Sequence, residues 1–307
     1  MNKRPHILLL GENGQLGWEL KRALASLGHV HALDSGALDM VDTDKLRRTL
    51  RELAPELIVN PAAYTRVDSA EEDASRAYAL NVHAPKVLAE EARKLGSVLV
   101  HFSSDYVFNG EGSQPWHEED LCAPINVYGA SKREGEIAIQ AVGCRHFIFR
   151  TSWVYGARGH NFLRTMRRLM QEKTEMKIVS DQVGAPTWCR DLAVASAQVL
   201  SQVLSPLGDA TQPKHWGVYH MCNAGETSWH GFAQAIQAID TSFGGPGAAR
   251  LLPILTRDYP TPARRPLNSR LSCDKLEQTF GLRLQPWQRA LALCMDEMNN
   301  RANDQES

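Results

Sequence analysis

Ile7-Leu8-Leu9-Leu10-Gly11-Glu12-Asn13-Gly14-Gln15-Leu16-Gly17-Trp18 is the stretch on which the fold turns. An apolar run of strand character enters glycines spaced G-x-x-G-x-x-G, and a helical pattern through Trp18, Leu20 and Leu24 follows until Gly28. Glycines there let backbone N–H groups approach a pyrophosphate, and the start of the next helix adds partial positive charge. A bare glycine triplet is as often a tight turn. The strand-loop-helix setting makes this one a dinucleotide loop, with Gly11, Asn13, Gly14, Gln15, Leu16 and Gly17 against the cofactor.

The alternation continues downstream. Val30–Leu33 reads as a strand, Lys45–Leu53 as a helix stopped by Pro55, and Leu57–Val59 as a strand. A helix carrying Val82, Val87, Leu88, Ala92 and Leu95 ends at Gly96, the strand Val98–Phe102 follows, another helix starts near Val127, and Phe147–Phe149 closes the series. Strands alternating with helices predict a Rossmann-type, doubly wound parallel α/β sheet whose ligands collect at the strands' carboxyl ends. Those ends are Gly11–Gly17, Asp34, Asn60–Thr65, Ser103–Phe108 and Thr151–Tyr155.

Beyond about residue 155 prolines multiply, at Pro186, Pro206, Pro213, Pro253, Pro260, Pro262 and Pro266. This divides the chain into a dinucleotide domain, 1–155, and a mostly substrate-binding α+β lobe, 156–307, with a helix near 190–205 returning to the first. Gly244–Ala249 reads as a loop and the polar tail after Asn299 as frayed.

With 307 residues, 43% of them hydrophobic, the chain can bury a full core, and a net charge of -1 supplies no field that would recruit nucleic acid. No apolar run has transmembrane length, and Ile7–Leu10 is too short for a signal peptide. Cys122, Cys144, Cys189, Cys222, Cys273 and Cys294 contain no Cys-x-x-Cys pair, which fits a reduced, cytoplasmic protein.

Asp34 ends the second strand where an acidic residue grips the ribose 2′-hydroxyl of NAD; a plain surface-loop acid is an equal reading. Asp39 and Met40 are placed beside the adenine. Tyr128-Gly129-Ala130-Ser131-Lys132 sets a phenol and an ammonium on one helix face. A free tyrosine titrates near 10, and a positive charge at about 4 Å contributes up to about 4 kcal/mol, roughly three pKa units. Lys132 is therefore expected to make Tyr128 acidic and also to hold the nicotinamide ribose. A lone Tyr-x-x-x-Lys is usually a solvated surface pair. Here it follows both a dinucleotide loop and a strand ending in Ser103-Ser104, so Tyr128, Lys132 and Ser104 form the expected catalytic set.

With these residues in place the chain resembles the extended short-chain dehydrogenases. Through GENGQLGWEL, VNPAAYTRVDSAE, HFSSDYVFNG, NVYGASKREGE, FRTSWVYG, DQVGAPT and YPTPARRPLNSRL it resembles the dTDP-4-dehydrorhamnose reductases, from the first strand to about residue 272. The resemblance implies NADPH- or NADH-dependent reduction of the C4 keto group of dTDP-4-dehydro-6-deoxy-L-mannose, giving dTDP-L-rhamnose for cell-surface polysaccharide such as O-antigen. It also implies that Ala62, Ala63 and Thr65 line the cofactor. Val67, Ser104, Asp105, Tyr106, Trp153, Gln182, Arg265 and Asn268 would line the sugar nucleotide, Arg265 offering a forked guanidinium to the diphosphate. Family members often carry threonine at the place of Ser104, where the hydroxyl role survives. Some members dimerise around magnesium held by glutamates. Glu19 and Glu297 match two of those positions, but Arg190 stands at the third and disfavours a cation, so magnesium is not expected and the chain is read as a monomer or homodimer. Alternatives within the fold are a reductase or epimerase of another nucleotide sugar, and a non-catalytic regulatory subunit of methionine adenosyltransferase.

Overall fold

A computed structural model describes residues 4–204, 215–240 and 249–306, with side chains described through residue 300. Pro206, Pro213 and most of Gly244–Ala249, read above as loop, lie outside these residues. The strands β1 (His6–Leu10), β2 (His29–Leu33), β3 (Leu57–Asn60), β4 (Val98–Ser104) and β5 (Arg145–Thr151) fall where the apolar runs predict them. They form one parallel sheet in the order β2-β1-β3-β4-β5, and the strand Gly217–His220 adds a sixth, also parallel, beside β5. Hydrophobic residues face both sides: Ile7, Leu9, Val59, Phe147 and Phe149 join one core cluster, Leu8, Leu10, Ile58, Leu99 and Ile148 the other. Burial on both faces explains the near-continuous apolar runs.

The chain leaves β1 to one side and returns to β3 on the other, so the sheet's switch point lies between β1 and β3. That crevice is where open α/β sheets bind ligands. Helix α1 (Gln15–Leu24) follows β1 and α2 (Thr43–Leu53) follows β2. The helix expected through Val82, Val87, Leu88, Ala92 and Leu95 is α5 (Ala84–Leu95), entered through a π-helical turn (Ala79–His83) and preceded by two short helices, α3 (Val67–Glu72) and α4 (Ala74–Tyr78). The π-turn has a visible cause: the side chain of Asn81, buried within it, bonds both backbone groups of Tyr64 and the Ser131 hydroxyl.

Helix α6 (Val127–Val142) covers β4 and β5, and α7 (Phe162–Glu172) opens the second half. Helix α8 (Cys189–Leu204), in the stretch near 190–205, packs on α1. A division at residue 155 assigns Gly217–His220 to the second lobe by sequence, whereas in space that strand extends the first lobe's sheet. One core cluster runs through both halves, from Ile7 to Met295. The remaining helices are α9 (Trp229–Ile239), α10 (Asp274–Phe280) and α11 (Trp287–Glu306), the last carrying regular helix past Asn299, where the sequence suggested fraying.

Beneath α6 lies a buried ion pair. Arg150 of β5 donates through Nε (2.9 Å) and Nη2 (2.7 Å) to the two oxygens of Glu136. Arg133 adds a third bond at 2.9 Å, and Arg150 Nη1 reaches the Glu118 carbonyl at 3.2 Å. Burial opposes the charge on Glu136, yet the paired cations hold its pKa below the usual carboxylate value. Removing one partner leaves the other charge buried without compensation, which typically costs about 3–5 kcal/mol. Glu136→Ala is therefore expected to lower the unfolding free energy by at least about 3 kcal/mol, read as a shift in urea midpoint at unchanged slope; a shift within error would contradict this role for the pair.

Candidate functional site

Gly11 leaves β1 with φ +71 and donates to the Leu33 carbonyl at 2.7 Å, while the Gly14 N–H turns back to the Gly11 carbonyl at 3.0 Å. A Cβ on Gly17 would lie 2.1 Å from that carbonyl, so α1 begins this close to the loop only because residue 17 has no side chain. No side chain caps α1 at Gly14. Its first-turn N–H groups and the helix dipole thus meet the opening, which fits the diphosphate of a dinucleotide. Across the crevice stands Ala62, whose Cβ would lie 3.0 Å from one on Gly11.

Asp34 serves its surroundings twice. Its Oδ1 accepts from the N–H groups of Gly36 (3.0 Å) and Ala37 (2.9 Å), and its Oδ2 accepts from the Asn13 amide at 2.6 Å. Gln15 donates to the Val154 carbonyl at 3.1 Å, tying the loop to the segment after β5. Leu16 packs into the core. Asp39 closes its own turn by accepting from Val41 N–H at 3.0 Å, and Met40 is buried beside Leu38 and Leu46. Ala63 and Val67 are half-buried, while Thr65 is exposed.

Tyr128 and Lys132 lie one turn apart on α6, whose start is capped by Asn126 accepting from Gly129 N–H at 2.7 Å. A Cβ on Gly129 would fall 2.1 Å from the Tyr106 carbonyl, so this glycine sets how closely the helix approaches the end of β4. The Tyr128 and Tyr106 rings meet edge to face with centroids 5.5 Å apart. Ser104 donates to Asp105 Oδ1 at 3.0 Å and accepts from Tyr106 N–H at 3.2 Å, and its hydroxyl lies near enough to the Tyr128 phenol to lower its pKa.

The electrostatics reverse one expectation. Burial pushes the Tyr128 phenol up to about 12; the Ser104 hydroxyl opposes this and the charge of Asp105 adds to it. Lys132 does not make the phenol acidic here, because its ammonium is itself buried and donates to the Phe102 carbonyl at 2.6 Å. Burial brings Lys132 down to about 8 against the opposing charge of Glu136.

His101, buried in β4, faces Lys132 Nζ through Nε2 at 3.3 Å and the Asn60 amide nitrogen through Nδ1 at 3.2 Å. Asn60 is oriented by accepting from Ala62 N–H at 3.2 Å. With its amide nitrogen aimed at Nδ1, the ring proton belongs on Nε2, facing the amine, which also favours neutral Lys132. Burial, and then Lys132, hold His101 well below the usual histidine range, so the ring is neutral. Sequence reasoning placed Asn60 at a strand end without a role and missed Asn81 and His101. The available signal was a histidine inside the otherwise apolar run Val98–Phe102.

On the opposite wall Trp153 has φ +48, a left-handed conformation that costs a non-glycine residue about 1–3 kcal/mol and marks functional sites more often than loops. It stacks on Trp229 at 3.7 Å; Trp229 donates to Gln182 at 3.1 Å, and Gln182 donates to Thr256 at 3.2 Å. Gly184 joins this wall to the catalytic end, since a Cβ there would lie 2.9 Å from Trp153 Cε2 and 3.0 Å from Ser269 Cβ. Burial pushes the Asp105 carboxyl up to about 6, against the opposing influence of the neighbouring Ser269 and Ser104 hydroxyls. Arg265 donates through Nη2 to Asp68 at 2.7 Å, and its Nη1 is buried with no partner among the described residues. Asn268 is engaged elsewhere: its amide donates to the Gln114 carbonyl at 2.8 Å and its oxygen accepts from Arg270 Nη1 at 3.1 Å.

Arg190 lies between the two glutamates considered above for magnesium, donating to Glu19 at 3.1 Å and to Glu297 at 2.7 Å. A guanidinium already neutralises the pair, so these residues do not fit a divalent cation. Among the described residues no group of three or more His, Cys, Asp or Glu side chains is placed to hold a metal, and no helix is long and apolar enough to cross a membrane.

Residues 5–300 match the family described as RmlD substrate binding domain. The chain is 47% identical to the dTDP-4-dehydrorhamnose reductase of Burkholderia thailandensis over 297 residues, covering 95% of this chain and 98% of the relative. Its structure superposes on the dTDP-4-dehydrorhamnose reductase of Clostridium acetobutylicum with a TM-score of 0.88 at 34% identity, covering 96% of this chain and 99% of that one. The Bacillus anthracis dTDP-4-dehydrorhamnose reductase, solved in complex with NADP, gives 0.87 at 32% identity over the same shares.

A chelator is expected to leave the thermal midpoint unchanged, while Arg190→Ala lowers it, because two nearly buried carboxylates would then face each other. A wild-type midpoint that falls with chelator would instead reveal a bound metal.

Proposed function

The chain belongs to the dTDP-4-dehydrorhamnose reductase family, an oxidoreductase family using NADP or NAD, and from that premise we propose that it reduces the C4 keto group of dTDP-4-dehydro-6-deoxy-L-mannose. The observation that carries the reading is the phenol of Tyr128, set near the Ser104 hydroxyl at the carboxyl end of β4 and backed by buried Lys132. The dinucleotide is assigned to the Gly11–Gly17 cradle, the switch-point crevice and Ala62. When bound, its reduced nicotinamide supplies the hydride for the carbonyl carbon.

Tyr128 delivers the proton. Held near 12, it stays fully protonated at neutral pH, and the oxygen it faces becomes an alkoxide more basic than a phenolate as the carbonyl is reduced. A high phenol pKa suits this direction of reaction, because the donor is loaded in every resting molecule. Ser104 turns its hydroxyl from Asp105 to the carbonyl oxygen and fixes its position. In its ammonium form Lys132 donates to the ribose hydroxyls.

Trp153 offers the deoxysugar a flat apolar wall held by Trp229. The unpartnered Nη1 of Arg265 is the donor assigned to the diphosphate; Asp68 holds the other arm of the fork in register. The cytoplasm fits both this reaction and the unpaired thiols.

The direct test supplies purified protein with dTDP-4-dehydrorhamnose and each reduced nicotinamide in turn. Stoichiometric loss of the reduced-cofactor absorbance is expected; isomerised sugar with no cofactor consumed would indicate an epimerase. Tyr128→Phe is expected to lower kcat by at least about a hundredfold with cofactor affinity unchanged, since general acid catalysis of this kind contributes about 10²–10⁴. Near-normal turnover in that variant would remove the phenol from the reaction.

The pH dependence follows from Lys132. Its folded pKa lies below the ordinary lysine value, so the ammonium is present below about 8 and lost as pH rises through it. Cofactor dissociation constants are expected to be flat below that pH and to rise above it, by at most about tenfold per pH unit. Lys132→Arg, charged throughout, is expected to lack the break; a wild-type profile flat to pH 10, about the ordinary lysine value, would contradict the ribose role.

A further inference from the structure

The geometry points to Cys222 and Cys273 as a site of reversible oxidation by a hydroperoxide, which joins them in a disulfide. These cysteines are 51 positions apart in sequence, yet their sulfurs lie 3.5 Å from each other. The two strands of chain meet at this point. Cys222 Sγ approaches the Leu271 carbonyl at 3.8 Å, and Cys273 Sγ approaches the Cys222 carbonyl at 3.9 Å. Closing the sulfurs to the bonded distance of about 2.0 Å needs about 1.5 Å of motion, shared between two side chains that already face each other.

Access is asymmetric. Cys222 is 4% exposed, whereas Cys273 is half-buried, and both line a cavity of about 400 Å³ with His117, Glu226, Arg270 and Arg283. A peroxide is small enough to enter. The two thiols share one hydrogen bond in which either can donate, and Cys273 is the one of the pair that is open to the cavity and solvent. Cys273 is thus the attacking sulfur and Cys222 the resolving one.

The step balances. Cys273 thiolate attacks one peroxide oxygen; an S–O bond forms, the O–O bond breaks, and the departing oxygen leaves as an alcohol or water after taking a proton. Cys222 then attacks the sulfenic sulfur; the S–S bond forms, the S–O bond breaks, and hydroxide leaves as water with the Cys222 proton. Two thiols are oxidised and one peroxide is reduced.

The consequence for the site follows from position. Cys222 shares a buried cluster with Val107 and Phe108, which follow Ser104 in the chain, and Cys273 packs against the same cluster. Cys222 is itself close enough to Asp105 to feel its charge. Drawing the sulfurs together therefore pulls on the backbone that supports the catalytic hydroxyl. Only this activity effect rests on the function proposed above; disulfide formation does not.

The full-length reduced protein is treated with hydrogen peroxide, free thiols are blocked by N-ethylmaleimide, and peptides are mapped by mass spectrometry. The expected result is one cross-linked species joining the Cys222 and Cys273 peptides, lighter by two hydrogens and dissolved by dithiothreitol, while buried Cys144, Cys189 and Cys294 stay alkylatable once unfolded. In Cys222→Ser, a near-isosteric change, Cys273 is expected to stop at a sulfenic acid trapped by dimedone; in Cys273→Ser, Cys222 is expected to remain a thiol. Full maleimide labelling of both cysteines after peroxide, or oxidation of Cys222 at wild-type rate in Cys273→Ser, would overturn the assignment. Turnover of the oxidised protein is expected to fall at least about threefold, near 0.7 kcal/mol in barrier, and to return with dithiothreitol. A cross-link without that loss would overturn the coupling to Ser104.

Discussion

Everything at the proposed active centre depends on how closely one helix can lie against one carbonyl. With no side chain at Gly129, the first turn of α6 settles over the Tyr106 carbonyl, where a Cβ would be only 2.1 Å away. That contact sets the phenol of Tyr128 beside Ser104 and places Lys132, a turn later, under the sheet. Asn126 serves both sides of the joint. Its oxygen caps the helix at Gly129 N–H, and its amide donates 2.8 Å to the Arg264 carbonyl, next to the guanidinium assigned to the diphosphate. One asparagine thus couples the helix carrying the proton donor to the segment carrying Arg265.

The same economy governs the protonation states. Burial acts on Tyr128 and Lys132 in opposite directions, because it disfavours an anion in one and a cation in the other. The phenol keeps its proton and the amine gives its proton up more easily. A site that must donate a proton to an emerging alkoxide needs the first of these. The second makes the lysine's charge responsive to what lies beside it, and neutral His101, oriented by Asn60, lies beside it.

The fold was legible in the sequence because its determinants are local. Alternating apolar runs marked β1 through β5, and the glycine spacing placed the switch-point loop, since each feature is written within a dozen consecutive residues. Tyr128, Lys132 and Ser104 were legible as types for the same reason. The rest depends on partners far apart in the chain. The strand Gly217–His220 holds only Val218 and Tyr219 between a glycine and a histidine, too little for an apolar run, and is recognised only by its pairing with β5. The π-helical turn that opens the helix before Gly96 comes from Asn81 meeting Tyr64 and Ser131. The direction of the Tyr128 shift depends on burial, which a Coulomb estimate from Lys132 alone leaves out.

Arg190 shows how a residue that breaks a family pattern can preserve its physics. Two glutamates on α1 and α11 come close enough to repel each other unless a cation sits between them. A divalent ion answers that need from solution, and its occupancy varies with concentration. A guanidinium anchored on α8 answers it from within the chain, and at 36% exposure it still reaches both carboxylates. The cation is then present whenever the chain is folded. Because α8 packs on α1, the same ion pairs tie the helix returning from the second half of the chain to the helix that opens the cofactor cradle. The position of the glycine loop therefore draws on an electrostatic clamp built from three helices, and no exchangeable ligand is needed to close it.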